Sequence, residues 1–215
     1  MEMDLNKFCD DFEKNTYSNN NFKIKIKVDK SDIHGNGVFA TSYIKKEDII
    51  TIYPTDAYCL NNCAMIFRRK SSDDFAKNIK IYENTHAMTM CYENFNIKII
   101  GNPYSYDNLK YVGHIVNDGL GNIFENISKS EINDNTKMRN LIINTFNDTK
   151  TKCNSMFEND NGKIILRATK DIRKGEEILT FYEFEFWHYL TFKKSFPTNI
   201  IDENMKCLIG KILCE

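Results

Sequence analysis

An excess of positive charge is the first thing this sequence lacks. Lys and Arg number 29 against 30 Asp and Glu, a net charge of −1. A general nucleic-acid binder is usually basic, so the balance speaks against direct nucleic-acid contact as the main activity. Long apolar runs are missing too, and none reaches the length of a transmembrane helix. The opening stretch, MEMDLNKFCDDFEKN, holds neither the basic nor the apolar region of a signal peptide. The expectation is therefore an intracellular protein, nuclear or cytoplasmic, with no membrane association. Proline occurs only 3 times while Asn, Ile and Lys abound, a bias that an AT-rich genome explains as readily as any physical need.

The cysteines lack a framework. The seven (Cys9, Cys59, Cys63, Cys91, Cys153, Cys207 and Cys214) are scattered and odd in number. Without a secretion signal, reduced thiols are the default. Cys59-x3-Cys63 followed by His86-x4-Cys91 offers four soft ligands, but at a spacing unlike the common zinc patterns. No metal site is expected.

What the chain does have is enough apolar material for one ordinary domain, with hydrophobic residues at 41% and aromatics at 13% of 215. Leu5, Phe8, Cys9 and Phe12 fall on one face of a short helix, an N-terminal cover within residues 1–21. Phe22 to Val28 alternates strictly, predicting a strand with Ile24, Ile26 and Val28 inward and lysines in water. Gly35-Asn36-Gly37 then feeds the strand Val38-Phe39-Ala40, and a charged turn leads into the strand Ile49 to Tyr53. Gly35-x-Gly37-x-x-Ala40 satisfies the dinucleotide fingerprint, but that motif needs a helix straight after the glycines and here a strand follows. Glycines at this turn still let backbone N–H and C=O groups approach a polar ligand closely, although a hairpin that merely needs a glycine turn has the same sequence.

Further on, the spacing of Met65, Ile66 and Arg69 predicts a helix over Asn62 to Lys70, and a second short helix covers Phe75 to Ile81. Thr85 to Cys91 and Asn96 to Ile100 read as strands. Residues 120–150 are polar and helix-tending, with Met138, Leu141, Ile142 and Thr145 on one face. Gly162 to Trp187 reads as two short strands joined by the charged turn Asp171 to Glu177. In the first strand Ile164, Leu166 and Ala168 point inward. The second runs Ile178 to Tyr182 and ends in Phe184, Phe186, Trp187 and Tyr189. These aromatics are either plain core or a narrow aromatic channel with one hydroxyl at its end.

Three runs now stand in order: S-x-I-H-G-x-G-V-F-A from Ser31, G-H-I-V-N-D from Gly113, and K-D-I-R-K-G-E-E-I-L-T-x-Y from Lys170. Together they resemble the SET-domain family of protein lysine methyltransferases, over about Phe22 to Trp187. The resemblance implies a mostly β fold with added helices (α+β). Short curved sheets would surround a knot-like crossing of the 113–118 and 175–182 segments. The domain would span 22–190, with a variable insert at 60–100, a polar helical insertion at 120–150 and a C-terminal segment at 191–215.

It also implies S-adenosyl-L-methionine as cofactor and a protein substrate carrying a target lysine, histone or otherwise. Gly35, Asn36, Gly37, Phe39, His114, Asn117 and Asp118 match the cofactor-binding positions, and Tyr182 the catalytic tyrosine. Phe184 and Trp187 would close the lysine channel with one further tyrosine, of which Tyr104, Tyr106 and Tyr111 are all open. Two positions depart from the family pattern: His114 stands where arginine is usual and Asp118 where histidine is usual. Cys153, followed by Asn154, matches only loosely the cysteine of the N-C pair that follows in the family, and a three-cysteine cluster near the C-terminus is not matched. The departures keep a second reading in view, a SET-like module that only binds a partner.

Overall fold

Secondary structure follows the turn chemistry of the sequence closely over residues 26–52 and 162–180 and less closely in between. The computed structural model describes residues 5–17, 21–60, 65–67, 73–92, 95–127, 134–160, 162–192 and 205. In chain order come α1 (Leu5–Tyr17), β1 (Ile26–Lys30), β2 (Asn36–Ala40), β3 (Ile49–Ile52), β4 (Ala57–Leu60), β5 (Met65–Phe67), α2 (Asp73–Lys77) and α3 (Ile79–Thr85). There follow β6 (Ala87–Tyr92), β7 (Phe95–Ile100), β8 (Asn117–Asp118), α4 (Asn135–Lys152), β9 (Ser155–Asn159), β10 (Ile164–Ala168), β11 (Glu177–Thr180) and α5 (Glu183–Phe192). These small sheets with a few helices make an α+β fold. The chain forms two compact units, Met1–Val116 with Ser155–Ile178, and Asn117–Asn154 with Leu179–Glu215.

In the first unit β1 and β2 form an antiparallel hairpin, from Ile26↔Ala40 to Lys30↔Asn36. Its strand starts at Ile26 rather than Phe22, because β2 ends at Ala40, the partner of Ile26. Glu177 and Ile178 add to the far side of β2 against Phe39 and Val38. A second sheet has the order β3-β10-β9. Here the expected half-wet strand is wet on neither face: Ile164, Ile165 and Leu166 are all buried. Paired on both edges, β10 runs through the core, and continuous apolar character is what such a strand needs. Ile26, Val38, Ile44, Leu166, Ile172 and Ile178 pack into the largest apolar cluster.

The 60–100 segment contributes to a third sheet, β5-β4-β7-β6. Met65–Phe67 is a strand, not the start of a helix: Met65, Ile66 and Phe67 pair with Cys59, Tyr58 and Ala57. The ladder supplies partners to the main-chain groups of β4 along that edge, and tertiary pairing overrides a three-residue helical spacing. The rest of that predicted helix, residues 62–64 and 68–70, lies outside the described residues. α1 covers this sheet as expected, with Phe12 fully buried edge-on to Tyr58 at 5.1 Å.

The second unit is assembled around α4. Asp134 caps it by accepting from the amides of Thr136 (3.0 Å) and Lys137 (3.1 Å). Met138 and Ile142 on its buried face join Phe124, Phe184 and Met205 in one apolar cluster. The second strand of the Gly162–Trp187 stretch stops at Thr180, and the aromatics after Tyr182 are helical. Phe184, His188 and Phe192 each meet the Phe124 ring, at 6.5, 5.5 and 5.8 Å. That i, i+4, i+8 spacing is the stripe of a helix lying on one aromatic anchor. Of the C-terminal segment at 191–215, only Thr191, Phe192 and Met205 fall among the described residues.

His114 illustrates how closely the first unit is packed. It is buried, and its Nε2 lies 2.8 Å from the Asn102 carbonyl. Burial, together with the nearby His86, pushes its imidazole down to about 3, so the ring is neutral at physiological pH. A Cβ on Gly101 would come within 2.8 Å of the His114 Cβ and Cγ, near the root of a fixed side chain. Gly101→Ala should therefore destabilise the protein by ~1–3 kcal/mol, read as a lower urea midpoint at unchanged slope. For the pH dependence, His114 binds its proton in the unfolded chain near 6.5 and in the folded protein only near 3. Its contribution to stability is complete above about 6.5 and is lost as the pH falls through that window, by up to ~1.4 kcal/mol per pH unit. His114→Gln should flatten the fall in stability between pH 6.5 and about 5, measured by chemical denaturation across pH.

Candidate active site

A two-residue strand is short even by the standard of this chain, yet the second unit depends on one. Asn117 and Asp118 pair in parallel with Leu179 and Thr180. The amide of Gly119 then donates to the Thr180 carbonyl at 2.9 Å. On the other side of Leu179 sits Asn154, whose Oδ1 accepts from the Leu179 amide at 2.8 Å. Its own amide donates to the Leu179 carbonyl at 3.0 Å. A Cβ on Gly119 would lie 3.0 Å from the Cys153 Sγ. Thus Asn117-Asp118 and Cys153-Asn154 meet the same strand, although a long helix divides them in sequence. The loose match at Cys153 was the one signal for Asn154 as a member of this arrangement.

Asp118 is buried, and its carboxylate is filled with donors. Oδ1 accepts from the amides of Leu120 (2.7 Å) and Gly121 (3.2 Å). Oδ2 accepts from the amide of Tyr182 (2.8 Å) and the indole N–H of Trp187 (2.7 Å). Burial raises its pKa, and these four N–H groups act in the opposite sense. Sequence comparison alone marks this position as a departure; the structure gives the side chain four partners.

Tyr182 lies between β11 and α5, its ring stacked beside Trp187 (6.1 Å, 16°) and edge-on to Phe186 (4.9 Å). Burial pushes its hydroxyl pKa up, and the negative charge of Asp118 adds to the effect. The phenol stays protonated at physiological pH, a donor as well as an acceptor. Trp187 therefore shares this spot with Tyr182 and Asp118. Phe184 does not: it turns into the apolar cluster, against Phe146 (5.6 Å) and Phe181 (5.3 Å).

The remaining predicted site residues belong to the first unit. Gly35 closes the turn between β1 and β2 with φ 53°, a left-handed conformation, and its carbonyl accepts from the Ser31 amide at 3.1 Å. Among the described residues, nothing beyond its two chain neighbours lies within 4 Å of where its Cβ would stand. Gly37 is different: a Cβ there would collide with the Glu177 carboxylate, which accepts from the Ser31 hydroxyl at 3.0 Å. Asn36 and Phe39 are partly buried along β2. Tyr104 and Tyr106 are exposed in the loop before the 3-10 turn Leu109–Tyr111, while the Tyr111 ring packs on Tyr17 at 4.7 Å. Cys59 is buried. The side chains of Cys63 and Cys91, the other cysteines of the four-ligand pattern, lie outside the described residues.

Comparison with known proteins places this geometry. Similar solved structures include the methyltransferase domain of human PR domain-containing protein 2, at 15% identity and a TM-score of 0.40, covering 76% of this chain and 80% of that one. CpSET8 from Cryptosporidium is similar at 16% identity and a TM-score of 0.40, covering 73% and 56%. ATXR5 in complex with mono-methylated histone H3.1 gives 18% identity and a TM-score of 0.39, covering 74% and 56%. No match is found among curated proteins. Among the described residues no helix is long and apolar enough to cross a membrane. The family model for the SET domain matches residues 35–183, from the glycine turn to the residue after Tyr182 and over more than half of the chain. The chain belongs to the SET-domain family.

Proposed function

We propose that this protein transfers a methyl group from S-adenosyl-L-methionine to the ε-amine of a lysine in a protein substrate. The observation that carries the reading is the pairing of Asn117-Asp118 with Leu179-Thr180, which sets Tyr182 next to Asp118 and Trp187 in a chain of this family. The cofactor supplies a methyl group on a sulfonium centre. With that cofactor bound, this chain's residues would hold the neutral lysine amine in line with the methyl group, and transfer would leave the thioether product and a proton for the nitrogen to release. Alignment and exclusion of water contribute most of the rate in such a displacement.

Each residue then has a physical task. The Tyr182 hydroxyl would accept from an N–H of the amine and so orient its lone pair. Aromatic walls at Trp187 and Phe186 hold the aliphatic stem of the lysine and disfavour its charged form. The open backbone at Gly35, with Asn36, Gly37 and Phe39, suits a polar ligand that reads main-chain groups, and a Cβ at Gly35 meets nothing that would already fill the space. The family resemblance assigns cofactor contacts also to Asn117 and His114, and a second hydroxyl to Tyr104, Tyr106 or Tyr111.

Calorimetric titration should find micromolar binding of both S-adenosylmethionine and S-adenosylhomocysteine. Tyr182→Phe should keep the fold and that binding, yet lose at least about tenfold in methyl transfer to a lysine-peptide array with labelled cofactor. Unchanged turnover would overturn the role of Tyr182. No cofactor binding by the folded protein would leave a SET-like module that only binds a partner.

A further inference from the structure

The departure at position 118 has a structural counterpart at position 187. All four partners of the Asp118 side chain are donors: the amides of Leu120, Gly121 and Tyr182, and the indole N–H of Trp187. Two of them converge on one oxygen and two on the other. A carboxylate offers about four lone-pair sites on its two oxygens, enough for all of these donors, whereas a neutral imidazole offers a single acceptor nitrogen. A histidine here would leave most of these donors unanswered, and buried donors without acceptors are costly.

We infer that Asp118 is a positioning residue: through one oxygen it fixes the Tyr182 main chain and the Trp187 indole together, and so sets where the Tyr182 hydroxyl stands. The inference deepens the methyltransferase reading and rests on it for the kinetic consequence alone. Oδ2 joins the two residues at 2.8 and 2.7 Å, and the two rings lie stacked at 6.1 Å. Backbone and ring are thus tied to the same atom at the start of α5. Through Leu120 and Gly121, Oδ1 anchors the turn that follows β8. The carboxylate therefore belongs to the alignment of the amine rather than to cofactor contact.

Asp118→Asn tests this. However the amide is turned, its NH2 faces two of the four donors. Trp187 is the only tryptophan in the chain, so its indole proton gives a single, readily assigned NMR resonance. In the wild type that proton and the Tyr182 amide should exchange slowly. In a folded Asp118→Asn both should exchange at least about tenfold faster, with amides of β4 and β7 unchanged. The turnover number should fall at least about tenfold while the KM for S-adenosylmethionine stays within about threefold.

Unchanged exchange at both protons, or an unchanged turnover number, overturns the inference. Should the wild type transfer no methyl group, the functional reading fails and the exchange arm alone decides this one. Should Asp118→Asn not fold, Trp187→Phe decides: Tyr182 amide protection persists if the carboxylate holds it, and its loss there overturns the proposal.

Discussion

Two hydrogen-bonded residues make a poor strand, and β8 owes its persistence to what surrounds it. Asn117 and Asp118 are held against Leu179 and Thr180 by a short parallel ladder. The ladder is continued by Gly119 and flanked by Asn154 on the opposite side of Leu179. Asp118 then ties the turn at 120–121 to the start of α5. Apart from the local bonds between Asp118 and the amides at 120 and 121, these contacts join residues far apart in sequence and are not favoured by local propensity. Their entropic cost is shared because they close the same loop once.

A buried carboxylate is usually a liability, and here the sign of each effect can be read. Desolvation raises the pKa of Asp118, so its ionisation favours the unfolded chain: the stability tied to its protonated form is present below the ordinary carboxylate range and lost as the pH rises through its folded value. Four N–H groups offset much of that cost. His114 works in the opposite sense, losing stability as the pH falls toward about 3. One ionised group is kept at a cost beside the candidate tyrosine, and one neutral ring is kept in the first unit.

The fold class and three blocks of the site were legible because local chemistry carries them. A glycine turn between alternating strands and a charged turn before a β-branched run leave marks that tertiary context seldom erases. What the sequence did not disclose depends on partners supplied from elsewhere. Met65–Phe67 is extended because β4 lies beside it, and Ile165 is buried because β10 is paired on both edges. The run after Tyr182 is a helix because Phe124 offers one anchor to three residues at helical spacing. The same spacing was present in the sequence, masked by aromatics on every side. Asp118 looked like a loss until its donors, at 120, 121, 182 and 187, could be seen together.

The helix α4 begins at a capped asparagine and ends where Cys153 and Asn154 meet β11, so it behaves as a ruler with a phase as well as a length. Adding one residue to it would turn its far end by ~100° and carry Asn154 off Leu179, whereas adding seven would nearly restore the facing. The length of α4 is therefore quantised: whole pairs of turns added to it keep the facing of Asn154, and single residues added within it do not.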